Sequence, residues 1–211
     1  GYGINESIIR AAAADGIDTI LTCDNGIAAL DQARLAGELG MTMLVTDHHD
    51  IRQDEEGRDV LPQAAAVVNP KRQDSRYPYP EICGAMVAYK LVWGLYRIFG
   101  VPEEEWLDML EFAAIATVGD VMKLQDENRI VVKEGLRRLG RTRNLGLKKL
   151  IAKNNLDPER ISAYQIGFVI GPCLNASGRL ETAKLALSML LSEDEAEADR
   201  QADHLKELNG I

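Results

Sequence analysis

The amino-acid sequence predicts an α/β fold, in which a parallel sheet with flanking helices is followed by a helical region and a connecting helix. Short apolar runs of strand length alternate with helical patterns in the first third of the chain. From Gly84 onward one helical pattern follows another, and the last segment is dominated by charged residues. Strands separated by helices pair in parallel through right-handed crossovers, so we expect a parallel sheet near the N-terminus.

The elements of the first third can be placed from their periodicity and from their start and stop residues. Asn69-Pro70 should end the last strand, because proline cannot continue a central ladder. The predicted elements are a helix capped by Asn5 and running through Ala14, strands over 18–23, 42–46 and 64–68, and a helix over 27–39 that ends at Gly40.

The helical region is predicted over 84–99, 104–118, 129–140, 145–154, 162–169 and 179–191. Ser162 to Gln165 and Ser192 to Glu195 have the spacing of capping boxes, which mark helix starts. The helix after Ser192 has few apolar positions, so we expect it to bury little and to connect two domains. The predicted organisation is therefore one domain over 1–191 and the start of a connecting helix over 192–211.

The composition is that of a soluble globular protein. The 211 residues are 46% hydrophobic and carry a formal net charge of −9. No apolar run is long enough to span a bilayer, and the first residues lack the basic and apolar regions of a signal peptide, so we expect a cytoplasmic protein without membrane contact. The three cysteines are far apart and form no C-x-x-C pair, which favours reduced thiols over disulfides or a thiolate zinc site.

Positive charge is concentrated in one stretch. Between Arg129 and Arg160 there are ten basic residues and three acidic ones, whereas 192–207 has seven acidic and two basic residues. The basic stretch is either the solvated face of helices or a track for a phosphate backbone. The ten basic residues are Arg129, Lys133, Arg137, Arg138, Arg141, Arg143, Lys148, Lys149, Lys153 and Arg160.

Acidic and imidazole side chains follow two successive predicted strands. Asp24 ends one apolar run, and Asp47-His48-His49 ends the next. The carboxyl ends of parallel strands meet at one sheet edge, so these residues predict a divalent-metal site suited to hydrolysis. We expect Asp47 to orient one imidazole that binds metal, which leaves the other for a phosphate. The alternatives are an Asn25-Gly26 hairpin turn, which the following helix pattern disfavours, and a polar loop of accidental composition.

Two further segments are candidates. Gly119-Asp120 follows an apolar run, which by itself more often marks a helix terminus than a metal ligand. Two-metal hydrolysis requires several converging carboxylates, and Asp120 could supply one. The loop from Gly171 to Arg179 precedes a helix and could hold a phosphate with backbone N–H groups and a guanidinium, or Asn175 and Ser177 could simply cap the helix.

Taken together and in this order, these segments resemble the DHH phosphoesterase superfamily, and more closely its RecJ-type single-stranded-DNA-specific exonucleases. The D-H-H triplet alone is typical of the superfamily, and the Asn175–Arg179 segment narrows the resemblance to the RecJ type. The similarity runs along the whole chain. The segments that carry it are Gly1-Tyr2-Gly3, Thr22 to Gly26, Val45 to His49, Val67 to Pro70, Thr117 to Val121 and Gly171 to Arg179.

The resemblance implies a two-metal site that uses Mn²⁺ or Mg²⁺ to cleave nucleotides from the 5′ end of single-stranded DNA during repair and recombination. Asp24 would bridge the two ions, with His48 and Asp120 as further ligands. Asp47 would support the histidine, and His49 would contact the scissile phosphate. The residues that would hold the nucleic-acid backbone are Asn175, Ser177, Gly178 and Arg179.

The sequence departs from the family pattern in three ways. Cys173 stands where many relatives carry arginine, which removes one phosphate contact. The resemblance implies a D-x-D aspartate pair upstream of Gly1 and a second domain after the connecting helix, and we expect this chain to lack both. We therefore expect a central fragment of an exonuclease that is inactive by itself. The alternatives are a phosphodiesterase or pyrophosphatase for short oligonucleotides or cyclic dinucleotides, or a noncatalytic binding module.

Overall fold

The computed structural model describes residues 3–175 and 180–210. The chain divides into two compact units, Gly1–Phe99 and Gly100–Ile211. Within the described ranges, no helix combines the length and the apolar character needed to cross a membrane.

The first unit contains a three-stranded parallel sheet in the order β1-β2-β3, which confirms the predicted α/β arrangement. Thr19 of β1 lies opposite Thr42 of β2, and Leu44 of β2 lies opposite Ala66 of β3. The strands are β1 Thr19–Cys23, β2 Thr42–Thr46 and β3 Ala66–Val68, and the helices are α1 Glu6–Ala14, α2 Leu30–Glu38 and α3 Gly84–Phe99. As predicted, Asn5 caps α1, and its side chain accepts a hydrogen bond from the Ile8 N–H.

The core of the first unit lies between helices α1 and α2 and the sheet. Ile9 of α1 and Ala36 of α2 are fully buried, together with Met43 and Val45 of β2. Because successive strand residues point to opposite faces, Met43 and Val45 fix which face of β2 meets the helices. This packing sets the position of the carboxyl end of β2.

The second unit is helical. Its core is built from Leu147, Leu150, Ile166, Met189 and Leu205, each fully buried. The helices are α4 Glu103–Asp108, α5 Leu110–Gly119, α6 Asp126–Leu139, α7 Leu145–Lys153, α8 Ala163–Gln165, α9 Gly171–Leu174, α10 Leu180–Leu191 and α11 Glu195–Asn209, with a 3₁₀ turn over Pro158–Arg160 and a π-helical turn over Ile166–Ile170.

Several predicted boundaries differ from the structure. The helix predicted over 104–118 breaks at Met109 into α4 and α5. The capping box at Ser162 is present, but the helix it starts passes after three residues into the π-helical turn. The last helix is capped by Asp194, whose carboxylate accepts from the Glu197 N–H, while the Ser192 hydroxyl donates to the Asp194 carbonyl.

The prediction that the last helix buries little is wrong. Ala198, Ala202 and Leu205 of α11 are fully buried. Lys153 of α7 pairs with Asp199 and Asp203 of α11. Small alanine side chains allow close packing of helices, so a stripe with few large apolar residues still forms a buried face. The domain division at residue 191 stays a prediction.

The close contact between α5 and α6 yields a prediction about stability. A Cβ on Gly135 of α6 would overlap the methyl group of Ala114 in α5. We expect Gly135→Ala to lower the free energy of unfolding by about 1–3 kcal/mol, measured by urea titration with circular dichroism. The matched control is Gly94→Ala in α3, where a Cβ meets nothing within 4 Å. The control should gain about 0.5–1 kcal/mol from helix propensity, and equal losses in both variants would contradict the packing argument.

The buried carboxyl group of Glu111 should make the free energy of unfolding of this protein depend on pH. Its side chain is buried and accepts a hydrogen bond of 2.6 Å from the Thr142 hydroxyl. Burial raises the pKa of Glu111 to about 7, and the Thr142 hydroxyl offsets this only in part. Because the folded pKa lies above the unfolded one, the stabilising contribution of the neutral form is complete below the unfolded value. That contribution is lost as pH rises through about 7.

We therefore expect Glu111→Gln to stabilise the protein relative to the wild type at pH 8 more than at pH 5. The difference between the two pH values should be on the order of 2 kcal/mol. The control is Glu55→Gln, a change at an exposed carboxylate. Chemical denaturation at both pH values measures the effect, and a Glu111→Gln effect that does not vary with pH would show that Glu111 is ionised in the folded state throughout.

Candidate metal centre

The candidate site lies at the carboxyl ends of β1 and β2. Cys23, the last residue of β1, is paired with Thr46, the last residue of β2. Asp24 therefore leaves the sheet beside Asp47 and the two histidines that follow it. The structure confirms the expectation that parallel pairing brings the two polar segments together.

Asp24 occupies a tight turn between β1 and the following segment. Its backbone has a φ of +57°, in the left-handed region, which aspartate tolerates better than most residues. Gly26 has a φ of +111°, and a Cβ there would lie 2.7 Å from the Thr22 hydroxyl. That hydroxyl donates a hydrogen bond of 2.6 Å to the Asn25 carbonyl, which closes the turn. The turn thus requires glycine at position 26.

The His48 ring is fixed by a backbone carbonyl. Its Nδ1 lies 2.9 Å from the Ile82 carbonyl oxygen, and since that oxygen can only accept, Nδ1 carries the hydrogen. In the neutral imidazole, Nε2 then presents its lone pair, and it lies 3.1 Å from Oδ1 of Asp24. Two acceptors at this distance need a positive centre between them, which is either a proton on Nε2 or a bound cation.

The Asp47 carboxylate is a buried acceptor of several hydrogen bonds. Its Oδ2 accepts from the Ile27 N–H at 2.9 Å, and its Oδ1 lies 2.7 Å from Nδ1 of His49 and accepts from the His48 N–H at 2.8 Å. Burial acts to raise the pKa of Asp47, but the hydrogen bonds from Ile27, His49 and His48 outweigh it and lower the pKa. Asp47 is therefore ionised, and its hydrogen bond raises the pKa of His49.

This arrangement corrects the predicted role of Asp47. We expected Asp47 to orient the metal-binding imidazole, but Asp47 bonds the ring of His49, and the Ile82 carbonyl orients His48. The two rings are neighbours, with centroids 4.6 Å apart, yet each has its own hydrogen-bond partner.

The donor atoms fit a divalent cation. One ligand atom each from Asp24, His48 and His49 lies within 4.8 Å of the others. Metal–oxygen and metal–nitrogen bonds of about 2.0–2.2 Å place adjacent octahedral ligands about 2.8–3.1 Å apart. The distance of 3.1 Å between Asp24 and His48 meets this requirement. The mixture of carboxylate and imidazole suits first-row metal ions.

Asp120 lies in the second unit. It follows α5 as its C-cap, and its N–H donates to the Ala116 carbonyl at 2.8 Å. The next residue, Val121, is exposed and has a φ of +55°, an uncommon conformation for a β-branched residue. Strained backbone of this kind is concentrated at functional sites. The convergence of Asp120 with Asp24 and His48 stays a prediction.

Asn175 ends α9, and its N–H donates to the Gly171 carbonyl at 2.9 Å. The other predicted residues of the phosphate-binding loop, Ser177, Gly178 and Arg179, lie outside the described residues. The role of the loop stays a prediction.

Comparison with known protein families assigns the chain to a family. The model of the DHH family, N-terminal domain, matches residues 3–117, more than half of the chain. The chain belongs to the DHH family.

Two RecJ exonucleases match along nearly the whole chain. The single-stranded-DNA-specific exonuclease RecJ of Bacillus subtilis is 41% identical over 209 residues, which are 99% of this chain and 25% of the relative. RecJ of Escherichia coli is 34% identical over 222 residues, covering 99% of this chain and 37% of the relative. This chain therefore spans between a quarter and two-fifths of the length of these relatives.

Two solved DHH structures have the same fold. The crystal structure of RecJ in complex with Mn²⁺ from Thermus thermophilus matches with a TM-score of 0.82 and 31% identity, over 98% of this chain and 30% of that one. A crystal structure of exonuclease RecJ bound to manganese matches with a TM-score of 0.83 and 32% identity, over 100% of this chain and 51% of that one.

Three residues of this DHH domain that shape the site were not predicted as site residues. Ile82 contributes only its backbone carbonyl. Every residue type has this group, so the sequence does not identify it as part of the site. Asn69 is buried and donates to the His49 carbonyl at 3.0 Å. A Cβ on Gly84, at the start of α3, would overlap the Asp24 carboxylate. The Asn69-Pro70 and Cys83-Gly84 pairs were visible in the sequence, but we interpreted them as the end of a strand and the start of a helix.

Gly84 provides a test of the site that leaves every proposed ligand in place. We expect Gly84→Ala to displace the Asp24 carboxylate and to weaken binding of Mn²⁺ to this chain at least tenfold, measured by electron paramagnetic resonance titration. The control is Gly37→Ala in α2, where a Cβ meets nothing within 4 Å. Unchanged Mn²⁺ affinity in a folded Gly84→Ala variant would show that Asp24 is not a ligand.

Proposed function

We propose that this DHH domain is part of a metal-dependent exonuclease that removes nucleotides from the 5′ end of single-stranded DNA. The observation that carries the proposal is the distance of 3.1 Å between two acceptor atoms, His48 Nε2 and Asp24 Oδ1. The hydrogen of the neutral His48 ring is on Nδ1, where it bonds to the Ile82 carbonyl, so Nε2 can bind a metal ion. The proposal also rests on relatives along 99% of the chain that are named single-stranded-DNA-specific exonucleases.

The proposed metal is Mn²⁺ or Mg²⁺. The DHH proteins of similar fold were solved with manganese, and one with Mg²⁺ matches with a TM-score of 0.61 and 25% identity. Asp24 and His48 would hold the ions, with Asp24 bridging them and Asp120 as a further ligand. Such ions lower the pKa of water and stabilise the charge on the attacking and leaving oxygens. Two ions need more carboxylates than these, and the resemblance implies an aspartate pair in D-x-D spacing.

His49 is proposed to contact the scissile phosphate. Its side chain is 61% exposed, so a substrate can reach it. The hydrogen bond that the Nδ1–H of His49 donates to the Asp47 carboxylate raises the pKa of His49 and favours the imidazolium, whose Nε2–H can donate to a phosphate oxygen. Asp47 is only 1% exposed, which leaves little of it for a substrate to reach, so it is proposed as a positioning residue that keeps His49 charged and oriented.

The nucleic-acid contacts form the second part of the proposal. Asn175, Ser177, Gly178 and Arg179 would bind the strand through backbone N–H groups and the guanidinium of Arg179. A role in DNA repair and recombination follows from the resemblance, and the cytoplasmic location predicted from the sequence is part of the same proposal.

The test is release of nucleotides from end-labelled single-stranded DNA in Mn²⁺, with variants introduced into the complete gene product. We expect Asp24→Asn and His48→Ala to weaken Mn²⁺ binding at least tenfold and to lower kcat by about 10³-fold or more. Asp120→Asn should likewise weaken Mn²⁺ binding and lower kcat. His49→Ala should keep Mn²⁺ affinity and lower kcat about 10²- to 10⁴-fold.

The control is Glu55→Gln, which should match the wild type. Activity of Asp24→Asn within threefold of the wild type would overturn the metal assignment, and lost Mn²⁺ binding in His49→Ala would make His49 a ligand. A substrate blocked at either its 5′ or its 3′ end tests the polarity. Faster turnover of dinucleotides than of long strands would favour the small-substrate alternative.

A further inference from the structure

The structure divides the basic stretch 129–160 into two groups of cations. Five of the ten lie within ion-pair distance of acidic residues of the second unit. These pairs are Arg137 with Glu134, Arg138 with Glu104, Asp108 and Glu134, Arg143 with Asp108, Lys149 with Glu195 and Asp199, and Lys153 with Asp199 and Asp203. These five cations thus help to stabilise the helical unit, and the acidic residues largely neutralise their positive charge.

Two cations of the other group line one cleft. Arg141 and Lys148 are exposed, and neither has a carboxylate within ion-pair distance among the residues described. They line an open cleft of about 460 Å³ between the end of α6, α7 and the turn at Pro158. Arg143 lies on the same rim, and the apolar wall includes Ile151, Ala152 and Leu156.

The walls of the cleft are held together by a close backbone contact. A Cβ on Gly140, the residue after α6, would overlap the carbonyl oxygen of Pro158. Leu139 and Ile151, which line the interior, are 1% and 4% exposed. The cleft is therefore a preformed feature of a packed unit, and its volume lies within the range of about 300–1,000 Å³ that small ligands occupy.

A neighbouring cleft shows which side of Arg141 suits an anion. That cleft of about 370 Å³ also contains Arg141, and it is lined by Arg137, Arg138 and Arg143 together with Glu104, Asp108 and Glu111. Its other arginines are paired with Glu104, Asp108 or Glu134, whereas no carboxylate of the described residues lines the first cleft. An anion on Arg141 is therefore favoured on the side where Lys148 lies. An apolar wall beside two cations matches a nucleotide, which combines a flat base with a charged phosphate.

We infer that this cleft binds one nucleotide of a single strand, with its phosphate on Arg141 and Lys148 and its base against the wall of Ala152 and Leu156. The inference rests on the proposed function, because it places a strand on the second unit. The planar guanidinium of Arg141 can bind two phosphate oxygens together, whereas the ammonium of Lys148 acts as a point charge. The five cations that are paired with carboxylates would contribute little to the affinity for the strand.

The first experiment compares two double variants with the same loss of charge. Arg141→Gln with Lys148→Gln changes the cleft, and Arg129→Gln with Lys133→Gln removes two exposed cations elsewhere in the second unit. Binding of a fluorescent oligothymidine to the complete gene product is measured by anisotropy over a range of salt concentrations, with EDTA present to stop cleavage.

We expect the cleft variant to weaken binding at least tenfold and to reduce the slope of log K against log salt by about 1.4, since each phosphate contact on a single strand contributes about 0.7. The control pair should change affinity less than threefold. Equal effects of the two pairs, or no effect of the cleft pair, would overturn the inference.

A second variant blocks the cleft without removing a cation. Ala152 is exposed on α7, so Ala152→Glu places a carboxylate on the cleft wall without disturbing the core. Ala196→Glu on the exposed side of α11 adds the same charge elsewhere. Only Ala152→Glu should weaken oligothymidine binding, and the melting temperature of both variants checks that they are folded. Equal binding by the two would count against the cleft.

A deoxynucleoside monophosphate distinguishes a strand from a free nucleotide. Weaker binding of both ligands by the cleft variants supports the inference, as does weaker binding of the strand alone. Weaker binding of the monophosphate alone would mean a product site and would overturn it. Cleavage that depends on Asp24 and His48 but not on the cleft residues, together with unchanged strand binding, would reject this inference and leave the proposed function intact.

Discussion

The parallel pairing of Cys23 with Thr46 is the constraint on which the candidate metal centre depends. It brings the ends of β1 and β2 level, so that Asp24 and the Asp47-His48-His49 triplet leave the sheet side by side. A shift of register by one residue would turn β2 over and move Met43 and Val45 out of the core. The hydrophobic packing that fixes this register therefore also fixes the distance between Asp24 and His48.

The triplet combines two different kinds of support. Asp47 is buried and charged, and it is stable there because three N–H groups and the His49 ring surround its carboxylate. His48 is oriented by a neutral carbonyl instead, which fixes its tautomer without adding charge. One imidazole is thus biased toward the cationic form and its neighbour is left able to coordinate. Adjacent residues of the same type have different chemistry because their ring partners differ.

Local patterns in the sequence were sufficient to predict much of the first unit. The strands, the cap at Asn5 and the meeting of Asp24 with His48 follow from periodicity and from the geometry of parallel sheets. The roles of the Ile82 carbonyl and of Gly84 were not predictable in this way, because they depend on where α3 begins in space. The same limit applies in the second unit: the pair of Arg137 with Glu134 follows from helical spacing, whereas the pair of Lys153 with Asp203 joins residues far apart in sequence. Charge counts along the chain consequently overstate the positive surface.

The π-helical turn over Ile166–Ile170 has a consequence for the orientation of Asn175. A π turn holds one residue more than an α turn, so it advances the helical phase of everything after it by about 100°. Asn175 therefore leaves α9 about a quarter turn away from the direction that an unbroken α-helix would give it. A deletion of one residue in this turn would restore regular α-helical hydrogen bonding and would turn Asn175 by the same angle. The extra residue thus determines the direction in which Asn175 leaves the helix.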